Sequence, residues 1–303
     1  MLTASRSSAV RALVERGPAA SVVDRFVAGT SVDDVVAAAR RIAVDRLVTI
    51  DHLGEDTTDR ASADAIAAAY VALLGRLRAD GLADRVEVSV KLSALGRGLP
   101  ADGDTIALDL ARQVCAAAAE AAGTTVTVDM EDHTTTDSTL AIVRELRADF
   151  PWVGAVVQAQ LRRTEADCRE LTGLGSRVRL CKGAYDEPAS VAFRRRSDVD
   201  RSFVRCLRVL MAGEGLPMIA THDPRLIEIA RFLADRSGRD PADYELQMLY
   251  GVRPRAQTEL AAEGLRVRVY VPYGTEWFGY FMRRLGERPA NLAFFVRSLV
   301  SRG

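Results

Sequence analysis

The stretch "MIATHDPRLIEIARFLADRSG", residues 218–238, contains one whole strand-to-helix unit. Met218 to His222 read as a short buried strand, and Asp223 with Pro224 supplies an N-cap and an N1 residue for the amphipathic helix that follows. Outward from it the same alternation recurs. Strand candidates precede it at "LVTID" (47–51), "VEVSVKLS" (86–93), "TVTVDM" (125–130), "VGAVVQAQ" (153–160) and "RVRLCKGA" (177–184), and follow it at "YELQMLYG" (244–251) and "RVRVYVPYG" (266–274). Helical stretches such as "TDSTLAIVRELRADF" separate them. Eight βα units in about 250 residues is the size of a (β/α)8 TIM-type barrel. The expected organisation is an N-terminal helical segment over 1–46 and a catalytic barrel over 47–303. Ser31 with Asp34 forms a capping-box pattern ahead of "VDDVVAAARR". A doubly wound sheet is the alternative, but no GxGxxG follows any strand, which argues against a dinucleotide fold of that kind.

The composition narrows the function. With 41 basic against 41 acidic residues the formal net charge is zero, and no basic tract with interleaved aromatics suggests nucleic acid. No apolar run approaches the roughly 20 residues of a membrane span. The opening "MLTASRSSAVRALVERG" lacks the apolar centre of a secretion signal, so a cytoplasmic protein is expected. Cys115, Cys168, Cys181 and Cys206 show no CxxC spacing and read as core residues. Among the basic residues only Lys91 and Lys182 are lysine, and the histidines are His52, His133 and His222.

These scarce residues gather where barrel chemistry occurs, at the carboxyl ends of the strands. Asp51-His52 ends strand one, Lys91 lies on strand two, and Asp129 ends strand three with Glu131 and His133 beyond. Gln158 follows on strand four, Arg179 and Lys182 on five, Thr221-His222 on six, Gln247 on seven and Tyr270 on eight. Several chemistries use subsets of this rim. A metal hydrolase would use the Asp, Glu and His residues as ligands, and a Schiff-base lyase would use Lys91 or Lys182 with a lowered pKa. A non-catalytic ligand-binding barrel leaves most of the titratable groups unexplained. A flavin enzyme uses the most. Gln158, Arg179, Lys182, the backbone at Gly183-Ala184, Thr221-His222 and Gln247 suit a flavin's ring edge, ribityl chain and pyrophosphate. Lys91, Asp129, Tyr270 and the next helix are then left for substrate.

That helix lies in "YVPYGTEWFGYFMRRLGE", residues 270–287. At about 100° per residue Phe278, Phe281, Met282 and Leu285 share one face, and Tyr280, Arg283, Arg284 and Glu287 lie nearly opposite. Two neighbouring arginines are suited to a small carboxylate through forked hydrogen bonds. As a solvated face they would pair with glutamate at i,i+3 and i,i+4 spacing.

The segments "DHLGE", "VKLSALG", "VDMED", "VVQAQLRRT", "VRLCKGAYDEP", "IATHD" and "VYVPYGTEWFGYFMRRLGERPANL" occur in this order. In that order the chain resembles the single-activity bacterial proline dehydrogenases from about Ser31 to its C-terminus. The resemblance implies a barrel holding noncovalent FAD, which oxidises L-proline to 1-pyrroline-5-carboxylate and passes electrons to a quinone or other acceptor. It is compatible with peripheral docking on the inner face of a membrane, and it implies that the aldehyde dehydrogenase half of bifunctional relatives is missing. Arg283, Arg284 and Lys91 would bind the proline carboxylate, with Glu287 fixing the arginine fork and touching the ribityl chain. Tyr270 and Tyr280 would wall the ring, and Asp129 would orient Lys91 or neighbouring donors. Arg179 would lie near flavin N5, with Lys182, Gly183, Ala184 and Tyr185 in the cofactor cradle. The clearest departure is His52, where that family often has a hydrophobic residue.

Overall fold

The computed structural model describes residues 23–121 and 123–287, with side chains described as far as Met282. Strands β1 (Leu47–His52), β2 (Val86–Val90), β3 (Val126–Val128), β4 (Gly154–Gln158), β5 (Arg177–Cys181), β6 (Leu216–Ala220), β7 (Glu245–Leu249) and β8 (Val267–Tyr273) close into one barrel in chain order. All neighbours are parallel, and β8 pairs back to β1 from Leu47↔Arg268 to His52↔Tyr273. Helix α1 (Val32–Ile42) precedes the barrel. Then α2 (Arg60–Ala79), α3 (Gly103–Glu120), α4 (Thr136–Asp149), α5 (Thr164–Glu170), α6 (Arg196–Ala212), α7 (Pro224–Arg236), α8 (Pro254–Ala262) and α9 (Trp277–Glu287) each follow one strand. No helix among the described residues is long and apolar enough to cross a membrane.

The expected caps are present. Ser31 Oγ accepts from the Asp34 N–H at 3.2 Å while Asp34 Oδ2 accepts from the Ser31 N–H at 3.0 Å, satisfying two donors that a helix start leaves open. Asp223 accepts from the Arg225 N–H at 3.1 Å and starts α7.

Most strands end earlier than the sequence suggests, so Lys91, Asp129, Lys182 and the Thr221-His222 pair sit on the loops just beyond them. β6 is displaced as a whole, running Leu216–Ala220 rather than 218–222. The Leu216 N–H enters the ladder at 2.7 Å from the Ser176 carbonyl, while Thr221 Oγ1 accepts from the Asp223 N–H at 3.2 Å and begins the turn.

Apolar residues pack outside the barrel, between strands and helices. Val48, Ile50, Val86 and Val88 meet Leu73, Leu77, Leu110 and Val114 on one side; Val178, Leu180, Ile219 and Leu246 meet Phe203, Leu207 and Ile227 on the other. The lumen is different. Where barrels of this kind usually stack aliphatic layers, this one buries Glu87, Arg177, Glu245 and Arg268. Glu87 accepts from Thr49 and Thr125 hydroxyls, each at 2.7 Å, and from Arg177 Nη2 at 2.6 Å. Burial alone would raise the Glu87 carboxyl, but Arg177, Arg268 and Arg179 together hold it well below its ordinary value. Two carboxylates facing two guanidinium groups give the barrel floor a charge balance that makes burial tolerable.

Candidate active site

Above that floor, five strands converge on one cluster. Asp129, just past β3, accepts from Arg179 Nη1 at 2.7 Å through one oxygen and from the Tyr270 hydroxyl at 2.7 Å through the other. Arg179, on β5, also gives Nε to Gln247 Oε1 at 2.6 Å and Nη1 to Ser89 Oγ at 3.1 Å. Its guanidinium lies 5.3 Å from the centre of the Tyr270 ring. Burial, with Asp129 and Asp51 adding to it, pushes the Tyr270 phenol well above its ordinary value, so it stays a donor.

Lys91 is held by a different acid. Its ammonium faces both oxygens of Asp51, at 2.8 and 2.9 Å, so Asp51, expected only as a metal ligand in one alternative, is the lysine's direct partner. Asp129 orients the neighbouring donors Arg179 and Tyr270. Burial would lower the Lys91 ammonium, but Asp51 and Asp129 outweigh it and raise the pKa. A Schiff-base lysine needs the opposite shift.

The cofactor candidates lie around the next loops. Gln158 Nε2 donates to the Glu131 carbonyl at 2.7 Å. Lys182 pairs with Asp200 at 2.6 Å and Asp223 at 3.4 Å, tying the β5 loop to α6 and α7. Gly183 has φ +105°, and a Cβ there would run into the Gln160 side chain, so this position needs glycine. Ala184 is exposed, and the Tyr185 carbonyl accepts from Gln160 Nε2 at 3.2 Å. His222 Nε2 accepts from the Leu249 N–H at 2.8 Å, which fixes that nitrogen as unprotonated. Arg195 and Arg196, exposed where α6 begins, were not singled out from the sequence. The triple arginine where a helix follows a strand is a pattern suited to an anionic group.

The groups a metal centre would draw on are otherwise engaged. Glu131 takes Arg97 at 2.6 Å, and His133 Nδ1 meets Glu187 at 2.5 Å, with the His133 N–H on the same carboxylate at 2.9 Å. Among the described residues no three His, Cys, Asp or Glu side chains are grouped to hold a metal ion.

On α9, Tyr280 is buried with Val23, Phe26, Val27, Leu53, Trp277 and Phe281. The helical wheel had placed it with the polar side; the N-terminal residues cover it. Arg283, Arg284 and Glu287 belong to the same helix, but their side chains lie outside the described residues.

The family model described as "Proline dehydrogenase" matches residues 35–297. The "Proline dehydrogenase" of Deinococcus radiodurans is 39% identical over 285 residues, covering 92% of this chain and 90% of that protein. "Proline dehydrogenase 1" of Bacillus subtilis strain 168 is 37% identical over 279 residues, with the same coverage of 92% and 90%. The proline utilization A (PutA) structure from Bdellovibrio bacteriovorus superposes with a TM-score of 0.81 at 24% identity, over 93% of this chain and 34% of that one, a likeness of fold. With the family match running from α1 past the end of α9, this chain belongs to the proline dehydrogenase family.

Proposed function

We propose that this protein oxidises L-proline to 1-pyrroline-5-carboxylate with bound FAD. The observation that supports this reading most is the buried Asp129–Arg179–Tyr270–Gln247 cluster beside Lys91 at the barrel mouth. The donor set suits a flavin: a rigid buried guanidinium for the ring, and Lys182, Arg195 and Arg196 near one loop for the pyrophosphate. Bound FAD supplies the acceptor for a hydride and its electron pair.

Arg283 and Arg284 take the proline carboxylate, and Lys91, steadied by Asp51, adds a third donor to it. Tyr270 and Tyr280 bound the ring. The substrate reacts as the neutral amine, its ammonium proton having gone to solvent, so that the nitrogen lone pair forms the C=N bond as hydride leaves the adjacent ring carbon. Arg179 would hold the flavin ring, where its fixed charge would favour the reduced state. Glu287 holds the arginine fork, and Gln158, Gly183, Ala184, Tyr185, Thr221, His222 and Gln247 shape the cofactor site. Electrons leave to a quinone or another acceptor, with the protein cytoplasmic or docked peripherally on the inner face of the membrane.

The test is optical. The purified protein is expected to be yellow, to bleach anaerobically with L-proline, and to be indifferent to chelators. A colourless protein whose activity chelators abolish would overturn the reading.

A further inference from the structure

We propose that Glu245 is a positioning residue for Arg179, acting through the side-chain amide of Gln247. Both residues lie on β7, two apart, and both are buried in the lumen. Gln247 Nε2 donates to Glu245 Oε2 at 3.1 Å, and Gln247 Oε1 accepts from Arg179 Nε at 2.6 Å. A carboxylate can only accept and a guanidinium can only donate, so the amide between them is satisfied one way round. Its orientation follows from its neighbours' chemistry. Glu245 is itself anchored by Arg268, at 2.7 and 3.0 Å, and by Arg266 at 3.2 Å.

The guanidinium of Arg179 is then held on two sides. Nε is fixed by Gln247, and Nη1 by Asp129 and Ser89. Nη2 adds a longer contact to Glu87 on β2 at 3.4 Å, so contacts from β7, the end of β3 and β2 define its plane. Without a carboxylate at 245, Gln247 Nε2 has no fixed acceptor, and only the Arg179 contact still orients the amide. The Nε partner of Arg179 is then itself unanchored, and the guanidinium plane slackens. Resting on the functional reading above, the slackened arginine stabilises reduced flavin less well. Proline affinity stays, since the carboxylate contacts lie elsewhere.

The Glu245→Gln variant separates this from a bulk charge effect by sign. Deleting a negative charge through space makes the lumen more positive and raises the flavin midpoint potential, whereas loosening Arg179 lowers it. We expect a fall of about 30 mV, a tenfold loss of preference for the two-electron reduced state. Anaerobic reduction by proline is expected to slow at least tenfold with proline Kd within threefold. A potential unchanged or raised, with the parent's reduction rate, overturns the proposal.

Where Glu245→Gln does not fold, Glu245→Asp keeps the charge opposite Arg268 while drawing the carboxylate back by one methylene. The same fall is expected, and a parent-like potential overturns the proposal equally. If the parent protein itself fails to bleach with proline, the functional reading is what falls. A crystal structure of the variant then still decides for Glu245: a displaced Arg179 guanidinium supports the inference, and an unmoved one ends it.

Discussion

Asp51 faces the Lys91 ammonium with both carboxylate oxygens, at 2.8 and 2.9 Å, and each side chain is nearly closed to solvent. A pair so buried is most sensitive to losing one partner. Asp51→Asn is expected to destabilise the fold by about 3 kcal/mol because it leaves a buried cation without its counter-charge. The double variant Asp51→Asn, Lys91→Met should recover much of that. Denaturant titration of the parent, both single variants and the pair measures the coupling, and a stable Asp51→Asn would show that the pair is solvated.

His52 predicts a pH effect. Burial between the Tyr70 and Tyr273 rings holds the imidazole below its ordinary value; Asp51 opposes this and Lys91 adds to it. The unfolded chain takes up a proton near pH about 6.5, while the folded chain resists it. The stability His52 confers is therefore complete above that pH and is lost as pH falls through the lower folded value. His52→Leu should flatten the decline of Tm between about pH 7.5 and 5.5. An unchanged slope would place the acid sensitivity elsewhere.

Gly251 has φ +72°, and the Arg25 carbonyl occupies the space where a Cβ would go. Arg25 Nε also donates to the Gly251 carbonyl at 3.2 Å. Gly251→Ala therefore strains the backbone and pushes away the segment that covers α9, at a cost of about 1 to 3 kcal/mol. Faster proteolysis ahead of Val32 would locate the damage, and cleavage at the parent's rate would argue against it.

Arg283→Met and Arg284→Met should each lower kcat/KM for proline by about 30- to 1,000-fold, or about 2 to 4 kcal/mol, with flavin retained. Wild-type kinetics in both would make this a solvated helix face after all.

The barrel was legible because its strands carry β-branched residues and its helices carry caps. The lumen was written there too, in "VEVSV", "RVRLC", "YELQM" and "RVRVY", where charged and apolar residues alternate. On an open sheet that pattern puts charge in solvent; wrapped by helices, the apolar face must turn outward and the charge inward. Glu87, Arg177, Glu245 and Arg268 lie near the starts of their strands, away from the carboxyl-end rim, so no site pattern marks them. The partner of Lys91 was harder to see. Lys91 follows β2, which lies between β1 and β3, so Asp51 and Asp129 are equally near in topology and side-chain geometry alone separates them. Tyr280 is buried in one cluster with Val23, Phe26 and Val27, residues too distant in sequence for any local period to reveal.

The charged floor also constrains descent. Arg268 binds Glu245 and, through Nη1, reaches the Val48 carbonyl at 2.9 Å, across the seam where the last strand meets the first. A lineage that mutates one member strands a charge at low dielectric, an intermediate that selection removes before a second change can rescue it. Glu245 with Arg268, and Glu87 with Arg177, should therefore turn over as couples among homologues, while Val86, Val88, Val267 and Val269 on the outer face exchange singly with other aliphatics. A family in which Glu245 is commonly neutral beside a retained Arg268 would contradict this, and would mean that the lumen tolerates unpaired charge through a route other than pairing.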